Sequence, residues 1–239
     1  MKILGLDSSG IVASVAIVED ENLIAEYTVN YKKTHSQTLL PMLDELVKMT
    51  ELDLDTIDAI AVAAGPGSFT GLRIGSATAK GLGLALKKPL VEIPTVDALA
   101  YNLYDSRALI CPIMDARRSQ VYTGIYRFQE HKLVTVEAQM AVPMAEMIEK
   151  LNARGEEVVF LGDGVPVFGK MIQENLKVPY SFAPAHVNKQ RAAAVAALGL
   201  IYYREGKTET AMEHKPDYLR VSQAEREREE RLKAEKTHE

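Results

Sequence analysis

The stretch KILGLDSSGIVASVAIVEDENLIAEYTVN, residues 2–30, contains three apolar runs separated by short polar segments. Short apolar runs bounded by turn residues are typical of β-strands, so this stretch predicts three strands joined by tight turns. SQTLLPMLDELVKMT, residues 36–50, follows with its leucines at helical spacing, and IDAIAVAAG, residues 57–65, is almost wholly apolar. The first segment predicts a helix, and the second predicts a strand that is buried on both faces of a sheet.

A second helix, a strand and a further helix complete this unit. We predict the helix at about residues 70–86, the strand at PLVEI, residues 89–93, and the last helix after Thr95. From about residue 106 to residue 206 the same order begins again: three strands, a helix, a strand, a helix near Phe168 and a final helix. Two successive units predict a duplicated α/β architecture, in which two βββαβα-type halves face each other across a cleft.

The two predicted halves meet near residues 102–107. The corresponding domains are residues 1–104, which carry helices suited to docking a partner, and residues 105–219. A tail of residues 220–239 follows, in which Glu alternates with Arg and Lys and apolar residues are almost absent. This composition predicts a solvated, frayed helix or a disordered tail.

The composition predicts a globular, cytoplasmic protein. With 239 residues, of which 47% are hydrophobic, the chain is long enough to build a sizeable core. Its longest apolar runs, such as residues 57–64, are much shorter than the roughly 20 residues that a membrane span needs. The formal net charge of −5 argues against autonomous binding of nucleic acid, which depends on clustered Lys and Arg. Cys111, the single cysteine, lies in LICPIM and is predicted to pack as a small hydrophobic residue.

Five motifs along the chain resemble the bacterial TsaB family, also called YeaZ, over essentially the whole length to Arg220. They are ILGLDSS at residues 3–9, THSQTLLPML at 34–43, AVAAGPGSFTGLRIG at 61–75, DARRSQVYTGIY at 115–126 and PDYLR at 216–220. The resemblance implies the duplicated fold that is shared by actin-like proteins, sugar kinases and Hsp70-type ATPases.

This resemblance makes the cleft a candidate site. Nucleotide-binding members of the superfamily approach ATP phosphates with a hairpin in each half, where small residues let backbone N–H groups reach the oxygens. The first hairpin, Asp7-Ser8-Ser9-Gly10, retains small residues, whereas the second, Asp115 to Ser119, has no glycine. The expected relic of a nucleotide cleft comprises Asp7, Ser8, Ser9, Asp115, Arg117 and Arg118. The alternative is an ATP-dependent phosphotransferase or ATPase that uses Asp7, Ser8 and the second hairpin.

The resemblance also indicates where a catalytic metal would bind. The related catalytic protein TsaD carries a His-x-x-x-His motif, and two histidines four residues apart on a helix can bind one metal ion. The matching positions in EIPTVDALA, residues 92–100, are Thr95 and Leu99. A leucine cannot bind a metal, and none of the five histidines has a second histidine at this spacing. We therefore predict no metal and no cofactor, which also argues against a metallopeptidase.

Two polar residues near the first hairpin each have two interpretations. His35 either acts as a base or ligand at the cleft or precedes Ser36, the predicted N-cap of the next helix. Asp7 either orients a metal-bound water or closes the first hairpin by accepting backbone hydrogen bonds. The pattern favours the interpretation in which His35 only precedes the N-cap. It leaves both interpretations of Asp7 open.

The helix that follows GPGSFTGLRIG, residues 65–75, repeats small residues at four-residue spacing, which places them in one row along its surface. The row consists of Gly71, Gly75, Ala79 and Gly83. A glycine inside a helix costs about 1 kcal/mol relative to alanine, so the row predicts close approach of another backbone. That backbone belongs either to the chain's own sheet or to a second helix.

Apolar residues cover about half of the preceding helix, more than the stripe of roughly 100° that one-sided packing needs. We therefore predict a helix-to-helix interface with a partner, in which Met42 and Met49 are adaptable contacts. The alternative is a deeper core within the chain. The predicted interface residues are Leu39, Leu40, Met42, Leu43, Leu46, Val47, Gly71, Leu72, Gly75, Ala79 and Gly83.

The resemblance implies a function for such an interface. TsaB-like proteins pair through their N-terminal helices with a TsaD catalytic subunit, and a P-loop ATPase, TsaE, joins the assembly. The assembly transfers a threonylcarbamoyl group to N6 of the adenosine next to the anticodon in tRNAs that read codons beginning with A. TsaB is its non-catalytic scaffold, and it forms homodimers without its partner. We expect the same of this chain, with tRNA contacted only through the complex.

Overall fold

The computed structural model describes residues 1–219, so the predicted charged tail, residues 220–239, lies outside the described residues. The N-terminal part of the chain forms a five-stranded sheet with the order β3-β2-β1-β4-β5. Its strands are β1 (Lys2–Asp7), β2 (Val12–Glu19), β3 (Asn22–Asn30), β4 (Ala59–Gly65) and β5 (Leu90–Pro94). The helices of this part are α1 (His35–Thr50), α2 (Phe69–Leu86) and α3 (Thr95–Tyr101).

The C-terminal part repeats this arrangement with the sheet order β10-β9-β6-β7-β8. Its strands are β6 (Leu109–Asp115), β7 (Gln120–Gln129), β8 (Lys132–Pro143), β9 (Val158–Leu161) and β10 (Tyr180–Phe182), and its helices are α4 (Met144–Arg154), α5 (Val165–Asn175) and α6 (Ala192–Arg204). In both sheets the first strand pairs antiparallel with the second and parallel with the fourth. The predicted duplicated α/β fold is therefore confirmed.

Each sheet is covered on both faces, which explains its nearly continuous apolar strands. On the N-terminal sheet, α1 and α2 cover one face, and α6 packs against β1, β2 and β4 on the other. On the C-terminal sheet, α4 and α5 cover one face, and α3 covers the other. All seven residues of β4 are buried, as expected for a strand between two helical layers.

The two halves of the sequence exchange their last helices. Helix α6 follows the C-terminal strands but packs on the N-terminal sheet, and α3 follows the N-terminal strands but packs on β6 and β7. The predicted domain boundary between residues 104 and 105 lies in the segment between α3 and β6 and stays a prediction. None of the described helices has the length and apolarity to cross a membrane.

The beginning of α1 differs from the sequence expectation. The helix starts at His35 with Thr34 at the N-cap, so the prediction that Ser36 is the N-cap is wrong. The Nε2 atom of His35 lies 2.8 Å from the carbonyl oxygen of Gly10, which ties the start of α1 to the first hairpin. This contact is made through tertiary structure, and a local capping pattern cannot predict it.

Candidate functional site

The first hairpin of the cleft is held together by Asp7. The Oδ1 atom of this buried carboxyl accepts hydrogen bonds from the backbone N–H of Ser9 at 2.9 Å and from its hydroxyl at 2.6 Å. Burial raises the pKa of Asp7 from 3.8 to about 6, although both hydrogen bonds from Ser9 lower it. Asp7 therefore closes the hairpin, which confirms the structural interpretation of this residue.

The same hairpin packs tightly against the glycine-rich loop and α2. The Ser8 hydroxyl donates to the carbonyl oxygen of Gly71 at 2.9 Å, and the Ser9 carbonyl accepts from the N–H of Ser68 at 2.7 Å. A Cβ atom on Gly71 would overlap the Ser8 carbonyl oxygen, and one on Gly75 would lie 2.5 Å from the Ser8 Oγ. The first two members of the small-residue row therefore allow close approach of the chain's own hairpin.

The second hairpin is strained and carries an ion pair. Arg117, Arg118 and Ser119 all have φ between 52° and 64°, a conformation that favours glycine. Asp115 accepts a hydrogen bond from the N–H of Arg117 at 2.8 Å and lies 3.2 Å from its guanidinium, which is 86% exposed. The contacts between Asp115 and Arg117 thus stabilise the turn of this hairpin. The exposed Arg117 side chain lies at the edge of the cleft.

A cavity of about 570 Å³ lies between the two hairpins. Of the expected cleft residues, the structure places Ser9, Asp115 and Arg117 in its lining, but it does not bring Asp7, Ser8 or Arg118 there. Asp7 and Ser8 belong to the first hairpin but are buried, and Arg118 is exposed. The part of the prediction that put these three residues in the cavity wall is therefore wrong.

Several lining residues were not predicted from the sequence. Asp163 is one of them: its Oδ1 accepts from the N–H of Asp115 at 3.2 Å, and burial raises the pKa of its carboxyl. Asp217 also lines the cavity, so three carboxyl groups face one guanidinium, that of Arg117, among the described lining residues. This balance of charge is unfavourable for the phosphates of a nucleotide.

The C-terminal segment crosses the mouth of this cavity. The N–H of Asp217 donates to the carbonyl oxygen of Ala64 at 2.8 Å, and Gln139 of the other half donates to its carboxylate at 2.9 Å. The ring of Tyr218 lies 4.4 Å from that of Phe69, centroid to centroid. The motif PDYLR was noted in the sequence, but only the structure shows that its Asp217 connects both halves across the cleft.

The two positions that correspond to a metal-binding histidine pair are buried. Thr95 is fully buried at the first turn of α3, and Leu99 packs with Val96 and Ile110 in the core beneath the C-terminal sheet. Cys111 is buried as predicted, and burial raises the pKa of its thiol to about 12. Thr95, Leu99 and Cys111 therefore pack inside the described part of the chain.

Most residues of the predicted partner interface belong to the chain's own core. Leu39, Met42, Leu43 and Leu46 of α1 are buried against the N-terminal sheet, so the deeper core is confirmed and the prediction that they form a free apolar surface is wrong. The reason is that α1 packs on β2, β3 and α2 together, which buries a wide face. In α2 the same correction applies to Gly71, Leu72, Gly75, Ala79 and Gly83, which are all buried.

A different set of residues forms the exposed face of α1 and α2. The exposed fraction is 51% for Leu40, 76% for Met49 and 55% for Leu84, while Val47 is only partly buried. Ala77 and Gly81 are also exposed and lie on the same side of α2 as Leu84, at helical spacing. Met49 lies nine residues after Leu40, which places the two side chains on opposite sides of α1. We call Leu40 of α1 and Ala77, Gly81 and Leu84 of α2 the docking face.

Two βββαβαβα halves with a hairpin from each half at one cleft define a protein of the actin-like, sugar-kinase and Hsp70-type ATPase fold class. A family described as TsaD, tRNA N6-adenosine threonylcarbamoyltransferase, matches residues 22–228. The TsaB protein of Bacillus subtilis (strain 168) is 34% identical over 94% of this chain and 96% of that protein. The chain belongs to the TsaB family of tRNA threonylcarbamoyladenosine biosynthesis proteins.

Further relatives agree with this assignment. The TsaB protein of Escherichia coli (strain K12) is 30% identical over 92% of this chain and 95% of that protein. The solved structure of YeaZ from Pseudomonas aeruginosa superposes with a TM-score of 0.78 at 26% identity, and the match covers 91% of this chain and 99% of that one. The family resemblance predicted from the five motifs is confirmed.

Proposed function

We propose that this chain is a non-catalytic scaffold and activating subunit in the formation of threonylcarbamoyladenosine in tRNA. It docks a TsaD-like catalytic subunit, and a TsaE-like P-loop ATPase joins the complex. The complex transfers the threonylcarbamoyl group from threonylcarbamoyl-adenylate to N6 of the adenosine next to the anticodon. The chain works in the cytoplasm, contacts tRNA only through the complex, and forms a homodimer through the same face when it is alone.

The observation that carries this proposal is the docking face of α1 and α2. Leu40 and Leu84 leave half or more of their surface in solvent. An ion pair between Asp44 and Lys48, 2.5 Å long, lies on the same side of α1 as Leu40 and supplies a polar rim. An apolar centre with a charged border is the usual composition of a protein interface.

Gly81 gives a more specific argument for docking. A Cβ atom at this position would meet no other atom of residues 1–219 within 4 Å, whereas one at Gly71 or Gly75 would collide with the first hairpin. The helix therefore accepts the cost of a glycine, about 1 kcal/mol relative to alanine, without a packing use for it among these residues. Close approach of a helix from a partner supplies such a use, because a glycine lets two backbones pack together.

The non-catalytic role is supported by the cleft. Its carboxyl groups outnumber the one guanidinium in the lining, and the second hairpin carries arginines where a phosphate cradle needs small residues. The positions for a catalytic histidine pair hold Thr95 and Leu99, both buried. Binding of a partner is then the contribution that remains for this chain.

The alternative function is an ATPase or phosphotransferase, and the cavity of about 570 Å³ is the observation in its favour. Calorimetry of the isolated chain with ATP and Mg²⁺ separates the two. We expect no heat of binding. A saturable signal that is lost in Arg117→Ala would support the enzyme and contradict the scaffold.

The docking proposal is tested with a matched pair of glycine variants. Gly81→Arg places a long charged side chain on the docking face, and Gly169→Arg does the same on α5, where a Cβ atom also meets nothing within 4 Å. We expect Gly81→Arg to weaken binding of the TsaD-like subunit at least about 10-fold in titration calorimetry, whereas Gly169→Arg binds normally. Light scattering of the isolated chains should show a homodimer for Gly169→Arg and a monomer for Gly81→Arg.

The two variants also test the function in cells. A strain that carries only the Gly81→Arg protein should lose most of its threonylcarbamoyladenosine, measured by mass spectrometry of tRNA nucleosides, and the Gly169→Arg strain should keep it. Circular dichroism confirms beforehand that both proteins are folded. Normal binding and normal modification in Gly81→Arg would refute the docking face.

A further inference from the structure

Two carboxyl groups and a buried imidazole meet at the outer edge of the N-terminal sheet. Glu92 lies on β5, and Glu209 pairs with Leu90 of the same strand through backbone hydrogen bonds of 2.9 and 3.0 Å. His214 follows Glu209 after a turn. One carboxylate oxygen of each glutamate and one ring nitrogen of His214 all lie within 4.8 Å of one another.

The imidazole of His214 has an unused donor or acceptor atom. Its side chain is 0% exposed, its Nδ1 lies 2.6 Å from Oε1 of Glu209, and its Nε2 is buried without a hydrogen-bond partner among the described residues. A buried polar atom without a partner costs about 1–3 kcal/mol, so its presence calls for an explanation.

The charge of the cluster is also uncompensated. Among the described residues, Glu92 has no ion pair, although Lys207 lines the same cavity. Two lysines that approach this segment have other partners. Lys80 donates to the carbonyl oxygens of Met212 and His214, and Lys207 pairs with Glu205.

We propose that Glu92, Glu209 and His214 form a binding site for a divalent transition-metal ion, for which Zn²⁺ is the best match. One imidazole and two carboxylates are a ligand set that Zn²⁺ accepts, with a water molecule as the fourth ligand. Donor atoms around a tetrahedral Zn²⁺ are about 3.3 Å apart, so the wider gaps in the cluster must close by about 1.5 Å at most. Nδ1 of His214 and Oε1 of Glu209, now 2.6 Å apart, must exchange their hydrogen bond for the ion and separate by about 0.7 Å if both are ligands. Glu92 is exposed and is able to rotate, and a neighbouring cavity of about 340 Å³ lined by Glu92 and Glu209 gives the ion access.

The ion would have a structural effect on the C-terminal segment. Glu209 and His214 belong to the segment after α6, whereas Glu92 belongs to the sheet, so one ion would join them across long sequence separation. This segment leads directly to Asp217 and Tyr218 at the cleft mouth. The site uses other residues than the docking face, although Glu209 and Leu84 line one cavity, and it goes beyond the scaffold function proposed above.

The test uses the metal-free full-length chain without an affinity tag, and ZnCl₂ as the probe. Glu92→Gln removes one ligand from an exposed position and keeps its shape, and Glu205→Gln is the matched control because Glu205 lies outside the cluster. We expect Zn²⁺ to raise the melting temperature of the native chain and of Glu205→Gln equally. In Glu92→Gln the affinity measured by calorimetry should fall at least about 10-fold.

A second readout follows the segment itself. Trypsin cleaves after Lys207, which directly precedes the cluster, and cleavage requires local opening of the segment. Zn²⁺ should slow cleavage at this site in the native chain and in Glu205→Gln but not in Glu92→Gln. If Zn²⁺ neither raises the melting temperature nor protects the segment, or if it acts equally on Glu92→Gln, the proposed site is wrong.

Discussion

Asp7 gives a quantitative prediction about stability and pH. Its carboxyl is fully buried, and its pKa is about 6 in the folded chain compared with the usual 3.8. The folded state therefore holds the proton more tightly than the unfolded state, so folding is favoured by protonation and the protein loses stability as the pH rises from about 4 to 6. The total loss of unfolding free energy through this ionisation is about 3 kcal/mol, because each pKa unit corresponds to about 1.4 kcal/mol.

The substitution Asp7→Asn removes this titration but keeps an oxygen that accepts the hydrogen bonds of Ser9. Its amide N–H₂ group replaces Oδ2, an atom that has no partner among the described residues, so a cost of about 1–3 kcal/mol applies at every pH. The difference in unfolding free energy between the variant and the native chain should then shift by about 1.4 kcal/mol in favour of the variant between pH 5 and pH 7.5.

The assay is urea unfolding followed by circular dichroism at several pH values between 5 and 7.5. Subtracting the unfolding free energies of the two proteins at each pH cancels the titration of all other groups, which both chains share. Asp55→Asn, at an exposed carboxyl, measures the effect of losing a surface charge. A difference between Asp7→Asn and the native chain that stays constant across this pH range would refute the inference that the buried carboxyl is costly in its ionised form.

Two glycines and the cysteine give further predictions. Gly71→Ala should destabilise the chain by about 1–3 kcal/mol in urea unfolding, because its Cβ overlaps the Ser8 carbonyl oxygen, whereas Gly81→Ala should stabilise the isolated chain by about 1 kcal/mol. Equal effects of the two variants would contradict the different roles assigned to these glycines. Cys111 should react with Ellman's reagent only after unfolding, since its thiol is buried with a pKa of about 12. Rapid reaction in the native state would show that this part of the core opens.

The duplicated fold was predictable because its signals are local. Runs of apolar residues with period 2 or 3.6 depend on which face of a strand or helix is buried, and they recur in the same order in both halves. The start of α2 follows a local pattern as well: Ser68 is its N-cap and accepts a hydrogen bond at 3.3 Å from the N–H of Gly71. The start of α1 was missed because His35 is held by Gly10, far away in the sequence.

The candidate site was predictable only in part. The hairpins at Asp7 and Asp115 were found because they follow strands, but their orientation was not, and so Ser8 was expected in a cavity that it does not line. The cavity wall also contains Asp163 and Tyr218, which reach the cleft through separate segments of the chain. Neither residue lies in a pattern that identifies it as part of a site.

The sequence by itself determined the duplication, the family and the order and type of most elements, because each depends on short segments that carry their own signal; the three-residue strand β10 was missed because so short a segment carries little signal. The tertiary structure alone decided which apolar residues of α1 are core and which are surface: Leu43 is buried and Leu40 is exposed, although both belong to one apolar face. It also brought Glu92 and His214 together. Burial and side-chain proximity depend on how distant segments pack, and no local period in the sequence records that packing.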